Sequence, residues 1–368
     1  MLRDIYIQEV LIDIDNYEIQ DRIGNGAFGI VFKAKQKDNN EIVALKALQP
    51  NDNLKRQKDQ RNILNEICIP HVLNLPGVVE LKGFRFPLTD EQKATEKIKS
   101  IDTKNKKGQK EKVDLTGAII ITQFKKNGSL ETLTDKYLES KGAERDKMNP
   151  TIRSKIIFGI AATMKQVHQK NVIHRDLKPD NIFLDDNLEP QIADFGLSKV
   201  IMNKIDMTMV LGTPFFMAPE LFMDGDEGSY TVAVDVYAFA FIIYKMFTNK
   251  ILFADKRPIR SHQQYMMKIG KGLRPVRPDS IPDKYWDLIQ HCWDQEPSSR
   301  PTFEDITEIL KDDAFAIEEF GMKTDLARLH EYQKRIDSAP GPKIPSSPVR
   351  HVRSSPKVRK THFNWKRH

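Results

Sequence analysis

The sequence predicts an α+β chain, strand-rich in its first part and helical in its second. Residues 17–23 alternate apolar and polar, and residues 30–34, 41–47, 78–84 and 117–122 are apolar runs of strand length. From Asn149 onward the period changes. Ile152, Ile156, Ile157, Ile160, Ala161, Met164 and Val167 recur every three or four residues, as on one helix face. Inside the helical part lies a polar stretch that organises the rest, His174-Arg175-Asp176-Leu177-Lys178-Pro179-Asp180-Asn181, with Asp194-Phe195-Gly196 eighteen residues after Asp176.

That stretch asks for a loop with a general base and two metal-binding side chains. Asp176 can take a proton from a hydroxyl. Asn181 and Asp194 are hard oxygen ligands at a spacing suited to Mg²⁺ carried by a nucleotide. A second element is Gly24-Asn25-Gly26-Ala27-Phe28-Gly29, between the first two strand patterns. A glycine-rich hairpin brings backbone N–H groups close to phosphates because no side chain blocks the approach. Val31 and a returning strand follow it rather than a helix, which sets it apart from the dinucleotide-binding form.

Together these pieces resemble the catalytic core of the protein kinases: H-R-D-L-x-x-x-N, D-F-G and G-x-G-x-x-G-x-V, with Val43-Ala44-Leu45-Lys46 standing for V-A-I-K. Further downstream, Gly212-Thr213-Pro214-Phe215-Phe216-Met217-Ala218-Pro219-Glu220 is similar to the close of the kinase activation segment. Asp235-Val236-Tyr237-Ala238-Phe239 and the stretch from Cys292-Trp293 to Arg300-Pro301-Thr302-Phe303 match two later kinase motifs. The wording of these last two, with a Ser/Thr-type catalytic loop, resembles the tyrosine-kinase-like group.

The resemblance implies a bilobal α+β fold, with a small β-rich N-lobe and a larger α-helical C-lobe, and a serine/threonine kinase using ATP and Mg²⁺ on protein substrates. It implies that Lys46 holds the ATP phosphates and that Glu66 is its ion-pair partner. Asp176 is then the base, and Lys178 neutralises the transferring phosphoryl. Ile23, Gly24, Asn25, Gly26, Ala27, Phe28, Gly29 and Val31 cover the nucleotide, with Ala44 above the adenine and Phe183 below it. Thr122 is the gatekeeper, and the Gln123 carbonyl and Lys125 N–H read the adenine edge. Asp235 is expected to anchor the catalytic-loop backbone and Arg300 to pair with Glu220. Arg175 would offer a cationic partner to a phosphate on the activation segment, with Ser198 and Thr208 as candidates and Thr213 structural.

The remaining organisation is read from composition. Residues 1–16 form a lead-in, 17–122 the N-lobe, 123–126 the hinge and 127–310 the C-lobe. Residues 55–69 read as a helix interrupted by Pro70, where an interior proline costs about 3 kcal/mol. Pro70 alone speaks for a scaffold without turnover, since the catalytic set is complete. Residues 88–116 hold eight lysines and six acidic residues, and read as an exposed, partly disordered or loosely helical insertion. Residues 311–337 suggest one more charged helix, spanning 316–336. Residues 338–368, with Ser347-Pro348 and Ser355-Pro356, read as a disordered basic tail.

Net charge is +7, but the last 28 residues carry +8, which leaves the other 340 at −1. The basicity therefore belongs to the tail, which can attract acidic partners, and no dedicated nucleic-acid domain is expected. Only two cysteines, Cys68 and Cys292, argue against a disulfide framework or a zinc site. Residues 1–10 lack the apolar core of a signal peptide, and the most apolar run, 238–244, is too short to span a bilayer. These features point to a cytoplasmic protein, with access to the nucleus left open.

Overall fold

The structure is a computed structural model and describes residues 10–26, 29–48, 57–104, 108–138, 148–200, 216–223, 231–248 and 262–337. The first lobe is built on an antiparallel sheet of β1 (Tyr17–Gly26), β2 (Gly29–Gln36), β3 (Ile42–Leu48), β7 (Ile119–Gln123) and β4 (Leu81–Arg85), in that spatial order. Helix α1 (Gln57–Leu73) and the segment containing α2 (Asp90–Thr95), β5 (Ser100–Lys104) and β6 (Lys110–Asp114) complete it. Period-2 alternation gives the sheet two distinct faces. Phe32, Ala34, Val43, Leu45, Ala47, Ile119 and Ile121 are buried on one face. On the other, Val31 lies opposite Lys46 and Ala44 opposite Thr122, all four half-buried.

The described residues of the 88–116 segment are more regular than its composition suggests. Thr89 caps α2 through a reciprocal capping box with Gln92, and β5 pairs with β6 from Ser100↔Asp114 to Lys104↔Lys110. Val113 and Leu115 are buried in the same cluster as Tyr17, Phe32 and Leu45, and Ile98 and Ile101 pack against it. The hairpin thus covers the sheet face turned away from the cleft. Most of its charges lie outward, while a few apolar residues and Glu111, paired with Arg22, form the contact. Residues 10–16 of the lead-in are likewise part of this lobe: Ile14 is buried, and Phe84 N–H donates to the Val10 carbonyl at 2.7 Å.

Pro70 does not end α1, which continues to Leu73. Burial of Ile67, Ile69 and Leu73 holds the last turn in place against the proline's local preference.

The second lobe contains α3 (Leu130–Leu138), α4 (Pro150–Gln169), the short strands β8 (Val172–Ile173), β9 (Ile182–Leu184), β10 (Pro190–Ile192) and β11 (Lys199–Val200), and α5 (Glu220–Met223). Then come α6 (Ala233–Thr248), α7 (His262–Gly270), α8 (Asp283–Cys292) and α9 (Phe303–Ile309). Helix α4 starts as the sequence dictates: Asn149 Oδ1 accepts from Ile152 N–H at 3.1 Å and Pro150 occupies the first turn. Helix α6 is apolar nearly all round and correspondingly buried.

The region after 310 is not one helix over 316–336. A small hairpin of β12 (Glu318–Glu319) and β13 (Met322–Lys323) precedes α10 (Leu326–Asp337). Leu329 and Tyr332 of α10 are buried, and a methyl group on Gly159 of α4 would collide with the Tyr332 hydroxyl. The basic tail and its Ser-Pro pairs lie outside the described residues.

Candidate active site

The site lies where the half-buried face of the first sheet meets the loops between β8 and β11. Lys46 on β3 donates to Glu66 on α1 at 2.5 Å, and both side chains are largely buried. Burial alone would lower the Lys46 pKa. The negative charges of Glu66, Asp194 and Asp176 outweigh it and hold the ammonium above the ordinary lysine range. Despite Pro70, α1 presents Glu66 to Lys46.

Asp176, Lys178 and Asn181 come together in the loop after β8. Lys178 Nζ donates to Asp176 Oδ2 at 2.8 Å. Asn181 Nδ2 donates to the same Oδ2 at 2.9 Å and to the Asp176 carbonyl at 2.8 Å. The Asn181 amide nitrogen is thereby engaged within the loop, and its oxygen is the atom left to serve as a ligand. Burial raises the Asp176 pKa by more than Lys178 lowers it. Asp194 shifts the other way: burial pushes it up, but Lys46, His174 and Lys178 hold its carboxyl below the usual range. Asp194 stands in the left-handed region, at φ 63° and ψ 65°, which short polar side chains tolerate best.

A buried carboxylate supports this loop from beneath. Asp235, at the start of α6, accepts from the backbone N–H groups of His174 and Arg175, each at 2.8 Å. His168 Nε2 lies 2.8 Å from the same carboxylate. Arg175 has φ 69°, so Asp235 fixes the loop next to a strained residue. The rings of His174 and Phe195 meet edge to face at 4.8 Å between centroids, and Phe195 is buried in one cluster with Ile69 and Leu73 of α1. The anchoring role expected of Asp235 is therefore seen, as is the bidentate pair of Arg300 with Glu220, at 2.5 and 3.0 Å.

The residues expected to face a nucleotide are distributed as follows. Gly24, Asn25 and Gly26 close β1 and Gly29 opens β2, while Ala27 and Phe28 lie outside the described residues. Gly29 is required by packing as well as by access, because a Cβ there would collide with the Ala47 carbonyl. Val31, Ala44 and Thr122 share the cleft face with Lys46, and Phe183 on β9 is half-buried. Gln123 N–H donates to the Glu80 carbonyl at 3.0 Å, and the Lys125 ammonium donates to the Gln123 side chain at 2.7 Å.

Ser198 is corrected as a phosphorylation candidate. It is buried, its hydroxyl donates to the His174 carbonyl at 3.2 Å, and its own carbonyl accepts from Asn65 Nδ2 at 2.8 Å. Thr208 and Thr213 lie outside the described residues. Sequence reasoning missed His168 and Asn65. Each is one polar residue among others on a helix, and nothing in its neighbours marks it as a long-range partner.

A family model of the protein kinase domain matches residues 17–313. A probable serine/threonine-protein kinase of Dictyostelium discoideum is 29% identical over 307 residues, covering 83% of this chain and 29% of that protein. The RGS domain-containing serine/threonine-protein kinase A of the same organism is 37% identical over 191 residues, covering 52% of this chain and 16% of that protein. A serine/threonine-protein kinase of Arabidopsis thaliana is 32% identical over 193 residues, covering 52% of this chain and 31% of that protein. The chain spans less than a third of the length of these relatives. With its glycine turn, its Lys46–Glu66 pair and the clustered Asp176, Lys178 and Asn181, this chain belongs to the protein kinase family.

Proposed function

We propose that this protein is an ATP-dependent serine/threonine kinase of the tyrosine-kinase-like group, acting on protein substrates in signalling. The observation that carries the reading is the hydrogen-bonded set around Asp176. Both Lys178 and Asn181 donate to Oδ2, which leaves Oδ1 to accept the proton of a substrate hydroxyl. Burial brings the Asp176 pKa upward, toward the range in which a carboxylate serves as a base. As the proton moves to Asp176, the substrate oxygen bonds the γ-phosphorus. The bond from that phosphorus to the β–γ bridging oxygen breaks, and ADP leaves. Lys178 neutralises charge on the transferred phosphoryl, and Lys46, held by Glu66, fixes the non-transferred phosphates.

Asp194, kept anionic by its surroundings, and the Asn181 oxygen fit a magnesium ion that arrives with nucleotide phosphates. Bound there, Mg²⁺ would neutralise phosphate charge. Thr122, the Gln123 carbonyl and the Lys125 N–H form the adenine edge of this reading, and Phe183 its floor. The motif wording around Asp235 and Cys292 supports the group assignment, and a Lys178 two residues after the base supports hydroxyl specificity toward serine and threonine. No described helix is long and apolar enough to cross a membrane, and Cys68 and Cys292 are not joined in a disulfide. A cytoplasmic location fits these thiols. Attraction of the basic tail to acidic partners completes the proposal.

The test is transfer of labelled phosphate from ATP-Mg²⁺ to a generic protein substrate. The wild type should label serine and threonine. Asp176→Asn should lose about 10²–10⁴-fold in turnover while still binding nucleotide. Unchanged turnover in that variant rejects the base assignment.

A further inference from the structure

The insertion hairpin reaches the strand that enters the glycine turn. Strand β1 loses regular register on both sides of Arg22, between Ile19 and Arg22 and again between Arg22 and Gly24. Such irregularities re-aim a side chain. Arg22 Nη1 lies 2.5 Å from Glu111 Oε2 on β6, and the Arg22 side chain is only 9% exposed. Glu111 pairs with Thr103 across the hairpin, two residues before Val113. Val113 and Leu115 in turn are buried on the sheet with Tyr17 and Phe32. An anchored hairpin therefore grips β1 one residue before Ile23 and two before Gly24.

We propose that Glu111 is a positioning residue for nucleotide binding: through Arg22 it fixes the strand from which the glycine turn projects. This rests on the kinase reading above. Glycine gives a chain more conformations to lose than other residues do, so fixing one around phosphates costs entropy. Tethering its entry strand beforehand lowers that cost and tightens binding without touching the reacting atoms.

The experiment uses the full chain, a fluorescent ATP analogue with Mg²⁺, and steady-state kinetics, with circular dichroism and unfolding midpoints measured in parallel. Glu111→Gln should raise the nucleotide dissociation constant and the KM for ATP together, by about three- to tenfold, with kcat unchanged. Exchanging the charges, with Arg22→Glu and Glu111→Arg combined, should recover most of the affinity. An unchanged dissociation constant in Glu111→Gln overturns the proposal. So does a lowered unfolding midpoint with lowered kcat but unaltered affinity, which marks a purely structural pair. Failure of the wild type to bind nucleotide would defeat the kinase reading itself, and is thereby distinguished from failure of the tether.

Discussion

Two aspartates close to the same loop are pushed in opposite directions by their surroundings. Asp176 sits in a buried pocket whose Lys178 does not fully compensate, and its pKa rises. Burial also raises Asp235, but His168, His174 and backbone donors reverse the shift and its pKa falls. On the proposed reading, such divergence would separate Asp176 as proton acceptor from Asp235 as a standing anion. Because the folded pKa of Asp235 lies below its unfolded value, its ionisation stabilises the fold above about pH 3.9. That contribution is lost as pH falls through the depressed value. Denaturation from pH 3 to 7 should thus show the gap in stability between wild type and Asp235→Asn shrinking toward the acid end; a gap independent of pH would contradict it. The residues of this loop were legible in the sequence because short contiguous strings carry their chemistry. His168 and Asn65 were not, because their partners are far away along the chain, 67 residues from His168 and 133 from Asn65.

Among the secondary-structure elements, α1 and the insertion departed most from expectation, for one physical reason. Local signals, the helix-breaking preference of Pro70 and the lysine-rich composition of 88–116, were overridden by burial of a few apolar side chains. In α1 these are Ile67, Ile69 and Leu73; in the insertion, Val113 and Leu115. Lys110-Glu111-Lys112-Val113-Asp114 holds a single apolar residue, which gives no strand period to read in the sequence. Pro70 removes the donor that would reach the Glu66 carbonyl. Pro70→Ala should therefore stabilise the chain, by up to about 3 kcal/mol, read as a shift in denaturant midpoint. A lower midpoint would mean that the proline ring is held by packing worth more than the missing hydrogen bond.

At the scale of the whole molecule, the lobes and their order followed from the change in hydrophobic period, and the structure keeps both. The second lobe is tied together by charges withdrawn from water. The Arg300 side chain is 0% exposed and that of Glu220 10%. Arg300 also donates to the Asp294 and Ala233 carbonyls at 2.9 and 3.0 Å. Glu220→Ala should cost about 3–5 kcal/mol, since it leaves a guanidinium buried without its counter-charge. Equilibrium unfolding should show this loss to be larger than that of a double replacement, Glu220→Leu with Arg300→Met. Equal losses would assign the cost to side-chain volume rather than to the isolated charge.

The seating of Tyr332 over Gly159 has a practical bearing on where the chain can be cut. The kinase match stops at residue 313, yet α10 lies beyond it and shields part of α4. A fragment trimmed to the match would bare an aromatic-sized recess beside Phe158 on the long helix that leads into the catalytic loop. The packed part of the second lobe thus continues past the match and includes α10.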